Sequence, residues 1–296
     1  MVSAREKILL IKLGAFGDIV QADGVLRDIR AFHANAELVL LTTPAFSKLM
    51  ERCPHIDRVI SDSRPSIWKF GEWLRLAHIF KNEEFDKVYD LQNQDRTRLY
   101  RKLFFRKVRW SGYLGAARIT SAWNRYVEQL RQEGIPVVNS LSPDISWMTD
   151  NMDAFLKVEG VKRPYVALIP GCSQPQRRWP YFAELASVLI SRGYDVVTAP
   201  GPDEIELAKT ISGHTLLGQN GFLNRFELAG VLKGACFVVG NDTGPSHVAS
   251  YLGKPGLVLF GPETKAARSG MCRGDFHAIE VTDLSEVPGF EDGFYL

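Results

Sequence analysis

Cysteine is scarce in this 296-residue sequence: Cys53, Cys172, Cys236 and Cys272 stand far apart, with no C-x-x-C pair. That spacing disfavours a zinc site and a compact disulfide framework, and reduced thiols are the simpler reading. No run approaches the roughly 18 to 20 apolar residues needed to cross a bilayer, and no tract is of low complexity. The apolar stretch Ile8–Ile11 follows early basic residues, as in a signal peptide, but it is too short and reads as a first core strand. A cytoplasmic protein is expected. A dominant charge is missing too: 36 basic side chains face 34 acidic ones, a net charge of +2, so no global field marks a nucleic-acid binder. The dinucleotide fingerprint is also absent. Only G-x-x-G is present, at Gly14–Gly17, and the second strand candidate ends in Thr42-Thr43 rather than in an acid.

What is present is ample apolar material, 45% of residues, on a length that fits two domains better than one. Strand-like runs at Ile8–Leu13, Glu37–Thr42, Asp57–Ser61 and Lys87–Leu91 alternate with stretches of helical length. A second series follows at Tyr165–Ile169, Tyr194–Ala199, Cys236–Gly240 and Gly256–Phe260. Strand–helix alternation implies parallel sheets, hence two successive α/β units. The boundary is expected between Gly134 and Pro164, where three X-Pro pairs punctuate the chain, with a helix in Pro143–Val158 bridging the units.

Two segments carry chemistry. Strand one runs into Lys12-Leu13-Gly14-Ala15-Phe16-Gly17-Asp18, where the glycines permit a tight turn at the carboxyl end of a parallel strand, the ligand edge of open α/β sheets. Asp18, at a helix start, is either a cap for free backbone N–H groups or a general base for an acceptor hydroxyl. In the second unit, Cys236–His247 takes a buried strand abruptly into the polar turn Asn241-Asp242-Thr243-Gly244 and a new helix. A helix N-terminus with Thr243 and Ser246 hydroxyls suits a diphosphate; a Thr243 cap and a structural His247 are the alternatives. Arg177, in the loop Pro170–Pro180, would neutralise a departing diphosphate or remain a solvated cation. Glu204 would accept from ribose hydroxyls or serve as a helix-start charge.

Together these segments resemble glycosyltransferase family nine, the heptosyltransferases of lipopolysaccharide core assembly. The resemblance spans nearly the whole chain. It rests on L-G-x-x-G-D at Leu13–Asp18, D-L-Q at Asp90–Gln92, P-G-x-S…R-W-P at Pro170–Pro180, G-P-D-E…A at Gly201–Ala208, E-L-A-x-x-L-x-x-A at Glu227–Ala235 and, most specifically, D-T-G-P-S-H at Asp242–His247. It implies a GT-B architecture: two Rossmann-like α/β domains with parallel sheets facing across a cleft, residues 1–145 binding acceptor and residues 146–296 binding the nucleotide-sugar donor. It further implies metal-independent, inverting transfer without a cofactor, with ADP-heptose as the typical donor. By the same resemblance Asp18 is the base, Ser173 and Arg177 meet phosphates, Glu204 meets ribose, and Asp242, Thr243, Gly244 and His247 meet the diphosphate and sugar. The chain differs from the family pattern in carrying Arg177 where lysine is common and Asp23-Gly24 where Leu-Pro is common.

Seven basic residues fall between Arg96 and Arg109. Either they form a solvated helix face and edge strand, or Arg96, Arg98 and Arg101 recognise an anionic glycan or glycolipid acceptor, with peripheral attraction to the inner membrane surface. Trp68, Trp73 and Trp110 read as core, with sugar stacking the other option. Two further functions stay open on the same scaffold: a nucleotide-sugar epimerase or hydrolase, which would release nucleotide without transfer, and a non-catalytic nucleotide- or glycan-binding protein.

Overall fold

The computed structural model describes residues 5–66, 68–112, 121–172 and 174–286. The chain divides into two compact units, Met1–Trp147 and Met148–Leu296. The first contains β1 (Lys7–Ile11), α1 (Phe16–Phe32), β2 (Glu37–Thr42), α2 (Pro44–Met50), β3 (Arg58–Ser61), α3 (Phe70–Glu83), β4 (Lys87–Asp90), α4 (Asp95–Phe104), β5 (Arg109–Gly112) and α5 (Ala122–Gln132). Its strands lie in the order β3-β2-β1-β4-β5, all parallel. β1 is central, and strands covered on both faces must be apolar throughout; Leu9 and Ile11 are 0% exposed, and each contributes about 1.5–3 kcal/mol by its burial. Leu76, Phe80, Tyr100 and Phe105, from the α3 and α4 layer, pack on Leu9, Ile11 and Val88, while α1 packs with α5.

The second unit contains α6 (Asp153–Val158), β6 (Tyr165–Ile169), α7 (Phe182–Ser191), β7 (Asp195–Thr198), α8 (Ile205–Lys209), β8 (His214–Thr215), α9 (Arg225–Gly234), β9 (Phe237–Asn241), α10 (Gly244–Tyr251), β10 (Gly256–Phe260), α11 (Ala266–Ser269) and β11 (Phe276–Glu280). The strand order is β11-β10-β9-β6-β7-β8, again parallel. Renumbered within the unit this reads 6-5-4-1-2-3, the Rossmann order, and the first sheet is the same pattern one strand shorter. The strand order of each sheet therefore reverses beside its first strand, and the carboxyl ends at such a switch point are where open α/β sheets place ligands.

The expected bridging helix over Pro143–Val158 is broken. A 3₁₀ turn at Ser146–Met148 and the short α6 replace it, because Asp144 accepts from the Ser146 N–H at 3.0 Å and Asn151 from the Asp153 N–H at 2.9 Å, each starting a fresh turn.

Candidate active site

At the switch point of the first sheet, the exit from β1 is held on every side. The Leu13 N–H donates to Gln92 Oε1 at 2.9 Å, Thr43 Oγ1 donates to the Leu13 carbonyl at 3.1 Å, and Asp90 Oδ1 accepts from the Gln92 and Asn93 N–H groups at 3.0 and 2.8 Å. The D-L-Q run thus positions the turn. Gly14 has φ of +135°, and a Cβ there would lie 2.9 Å from the Phe46 ring, so the turn needs glycine. Asp18 lies in the first turn of α1. The N-cap residue, Ala15, makes no side-chain cap bond. Instead Asp18 Oδ2 meets Lys12 Nζ at 3.2 Å, with the lysine side chain 4% exposed and the aspartate 37%.

Lys12 was not singled out by the sequence, although a lysine closing an otherwise apolar strand is a signal in itself. Its ammonium sits 5.5 Å from the centre of the buried Tyr126 ring. Burial alone would lower its pKa, but Tyr126 and Asp18 outweigh this and hold it above the ordinary value. The lysine is therefore charged at neutral pH.

The switch point of the second sheet is stitched by another residue the sequence reading passed over. Asn241, fully buried at the end of β9, donates Nδ2–H to the Pro170 carbonyl at 2.8 Å and accepts the Trp179 N–H on Oδ1 at 3.0 Å. It locks the loop after β6 to the loop after β9. Thr243 is the N-cap of α10 but makes no side-chain cap bond. The Ser246 hydroxyl donates to the Asn241 carbonyl at 2.6 Å, and His247 is 8% exposed. Gly244 opens α10. Burial pushes the Asp242 carboxyl up, against the opposing charge of Arg177. Arg177 Nε pairs with Glu263 at 3.3 Å. Glu204 folds back to accept the Gly201 N–H at 3.0 Å, and its carboxylate occupies the space a Cβ on Gly171 would need. The structure thus gathers Arg177, Glu204, Asp242, Thr243, Gly244 and His247 on loops and helix starts at one sheet edge. Ser173 lies outside the described residues.

The basic run is not uniform. Arg96 is partly buried: its guanidinium serves the fully buried Asp62 with contacts of 3.4 Å, donates to the Pro65 carbonyl at 2.9 Å, and lies over Trp73 and Tyr100. A buried carboxylate needs a counter-charge, which is why this arginine leaves the solvated face. Arg98 faces solvent and pairs with Asp95 at 2.9 Å, and the exposed Arg101 lies over Trp110. Trp73 packs on Tyr100 and Phe104, but Trp68 is 77% exposed and not core. Among the described residues no group of three or more His, Cys, Asp or Glu side chains is placed to hold a metal ion, and no helix is long and apolar enough to cross a membrane.

Residues 73–272 match glycosyltransferase family 9 (heptosyltransferase). The chain belongs to this family. This family 9 glycosyltransferase is 26% identical over 292 residues to lipopolysaccharide heptosyltransferase 2 of Salmonella typhimurium, covering 87% of this chain and 83% of the relative. Among solved structures it resembles the glycosyl transferase family 9 protein of Veillonella parvula, with a TM-score of 0.75 at 19% identity, covering 93% of this chain and 86% of that one. It also resembles E. coli heptosyltransferase WaaC with ADP-2-deoxy-2-fluoro heptose, with a TM-score of 0.73 at 19% identity, covering 94% and 95%. These likenesses show the fold, an α/β chain of the GT-B class with two parallel sheets.

Proposed function

We propose that this glycosyltransferase moves a heptose from an ADP-linked donor to an anionic glycan of the lipopolysaccharide core type, with inversion and without a metal. The observation that carries the reading is the Lys12–Asp18 pair: a half-exposed carboxylate at the carboxyl edge of a parallel sheet, one oxygen held by a buried ammonium. Family membership and the ADP-sugar complex of WaaC support the donor; the solvent-facing Arg98 and Arg101 support an anionic acceptor.

In this reading Asp18 takes the proton of an acceptor hydroxyl as its oxygen attacks the anomeric carbon. The bond from that carbon to the diphosphate breaks, and the diphosphate leaves with the electron pair. A single displacement inverts the centre. In the second unit Arg177, exchanged from Glu263, and the start of α10 stabilise the leaving charge, with Ser173, Asp242, Thr243, Gly244 and His247 around the diphosphate and sugar and Glu204 toward the ribose. Asp18→Asn keeps the shape and removes the base, so turnover of ADP-heptose is expected to fall at least about a hundredfold with donor affinity unchanged. Unaltered turnover would remove Asp18 from this role. Nucleotide release without a glycosylated product would instead point to a hydrolase.

A further inference from the structure

The start of α3 carries apolar side chains on its outer side as well as its inner one. Leu76 and Phe80 face the core and are buried, whereas Trp68, Phe70 and Leu74 are 77%, 69% and 70% exposed. Phe70 and Leu74, four apart, share one helix face, and Trp68 stands in the turn just before it. A water-facing helix side is ordinarily polar, and a cluster of large exposed apolar side chains marks an interaction surface.

The exposure is built in. The loop before α3 is tied by the Arg64 N–H to Asp62 at 2.8 Å, by Arg96 to the Pro65 carbonyl at 2.9 Å, and by Trp73 Nε1–H to the Ser66 carbonyl at 3.1 Å. Trp73 itself is stacked on Phe104, so the helix cannot roll to bury Phe70 and Leu74. The charges around the apolar trio are net positive. From Arg64 to Arg75 they are Arg64, Lys69, Glu72 and Arg75, and Glu72 is occupied by Arg75 at 3.2 Å, leaving the exposed Arg64 and Lys69 beside the apolar side chains.

We infer that Trp68, Phe70 and Leu74, flanked by Arg64 and Lys69, form a docking surface for an anionic membrane. Exposed Trp and Phe enter the headgroup boundary, and basic neighbours meet anionic lipid. A second copy of this chain is a poorer occupant, because a symmetric pairing would set Arg64 and Lys69 against themselves. Placement supplies the purpose: α3 starts beyond the carboxyl end of β3 and α1 beyond that of β1, and these strands are parallel members of one sheet. The docking surface and Asp18 thus share one sheet edge, suited to an acceptor carried on lipid. The inference goes beyond the transfer reading, and vesicle binding and turnover can fail separately.

The test is flotation of the full chain with vesicles of phosphatidylcholine and phosphatidylglycerol in equal parts, against vesicles of phosphatidylcholine alone. The expected result is binding to the anionic vesicles only, reduced about tenfold or more by the Trp68→Ser, Phe70→Ser, Leu74→Ser triple variant and by Arg64→Glu with Lys69→Glu, while turnover of a water-soluble acceptor is unchanged. Should the triple variant fail to fold, Trp68→Ser alone carries the test, through loss of the blue shift in tryptophan fluorescence that anionic vesicles produce in the native chain. No binding to anionic vesicles, or binding indifferent to these substitutions, overturns the inference. So does a dimer in sedimentation velocity that the triple variant dissolves, which would make the face a contact between copies.

Discussion

Lys12 illustrates how one contact can decide a site. Removing an ammonium from water costs several kcal/mol unless an anion accompanies it, and Asp18 supplies that anion at 3.2 Å. Replacing Lys12 by Met fills similar volume without charge, and Asp18 is exposed enough for water to solvate it. The fold should therefore tolerate Lys12→Met, with a thermal midpoint equal to or above that of the native chain. Turnover should fall by about a hundredfold at constant donor affinity, the scale on which misplacing a reacting group acts. Full activity would show that Asp18 needs no positioning. Asp23 makes a second residue-scale case. It is 1% exposed, accepts Trp147 Nε1–H at 2.8 Å, and burial raises its carboxyl to about 6. The folded chain thus holds this proton after the unfolded chain has lost it. The stability contribution of Asp23 is full below about pH 4, falls as pH rises toward about 6, and above that stands as a penalty of about 3 kcal/mol. His55, 4.0 Å away, is lowered to about 4 by burial with Arg27 and Arg30 close by, and it acts in the opposite sense, adding stability as pH rises from about 4 to 6.5. The native chain should show little net slope from this pair. In Asp23→Asn, whose amide still accepts from Trp147, urea midpoints should match the native chain near pH 4 and exceed it above pH 6. Equal midpoints above pH 6 would contradict the assignment.

At the level of elements, α1 docks the segment that leads out of the first unit. Asp28 on this helix accepts from the Val138, Asn139 and Ser140 N–H groups and from the Asn139 and Ser140 side chains. Gly24 lets that segment approach so closely that a Cβ would lie 2.6 Å from the Asn139 carbonyl oxygen and from Ser140 Cα. Alanine is the better helix former by about 1 kcal/mol, but a clash with main chain does not relax as a side-chain clash does. Gly24→Ala should lower stability by about 1–3 kcal/mol, the range for overpacking, measured by urea unfolding; a gain would show that the segment yields. This contact gives a physical reason for glycine at position 24. Little of it was legible beforehand, because Asp28 and Ser140 are distant in sequence and nothing in either local pattern joins them. The central strands were legible, since burial on both faces leaves an unbroken apolar run. β5 is the edge strand offered by the solvated-face reading of the basic run, whereas β8, two residues long, and β11, an edge strand in which buried Phe276 is followed by exposed His277, carry too little pattern to be read. The donor-side turn was readable for the opposite reason: Asp242–His247 needs small and polar residues in a fixed local order. Asn241 and the Asp62–Arg96 pair act through partners brought near only by the folded sheet, and Lys12 joins the nearby Asp18 to the distant Tyr126.

Across the whole molecule, the same strand order occurs twice with different fittings at the two switch points. The first is furnished with a lysine-held carboxylate, the second with an asparagine-locked pair of loops and a helix start whose threonine makes no cap bond. That asymmetry fits a division of labour in which one unit activates an acceptor and the other holds a nucleotide sugar, as opposed to two equivalent binding modules. The most direct measurement is to incubate the native chain with ADP-heptose and a lipopolysaccharide-core acceptor and to determine the anomeric configuration of the product by NMR. The account predicts a heptosylated acceptor of configuration opposite to the donor, formed one for one with ADP. A product of retained configuration, or ADP without a heptosylated product, would contradict it.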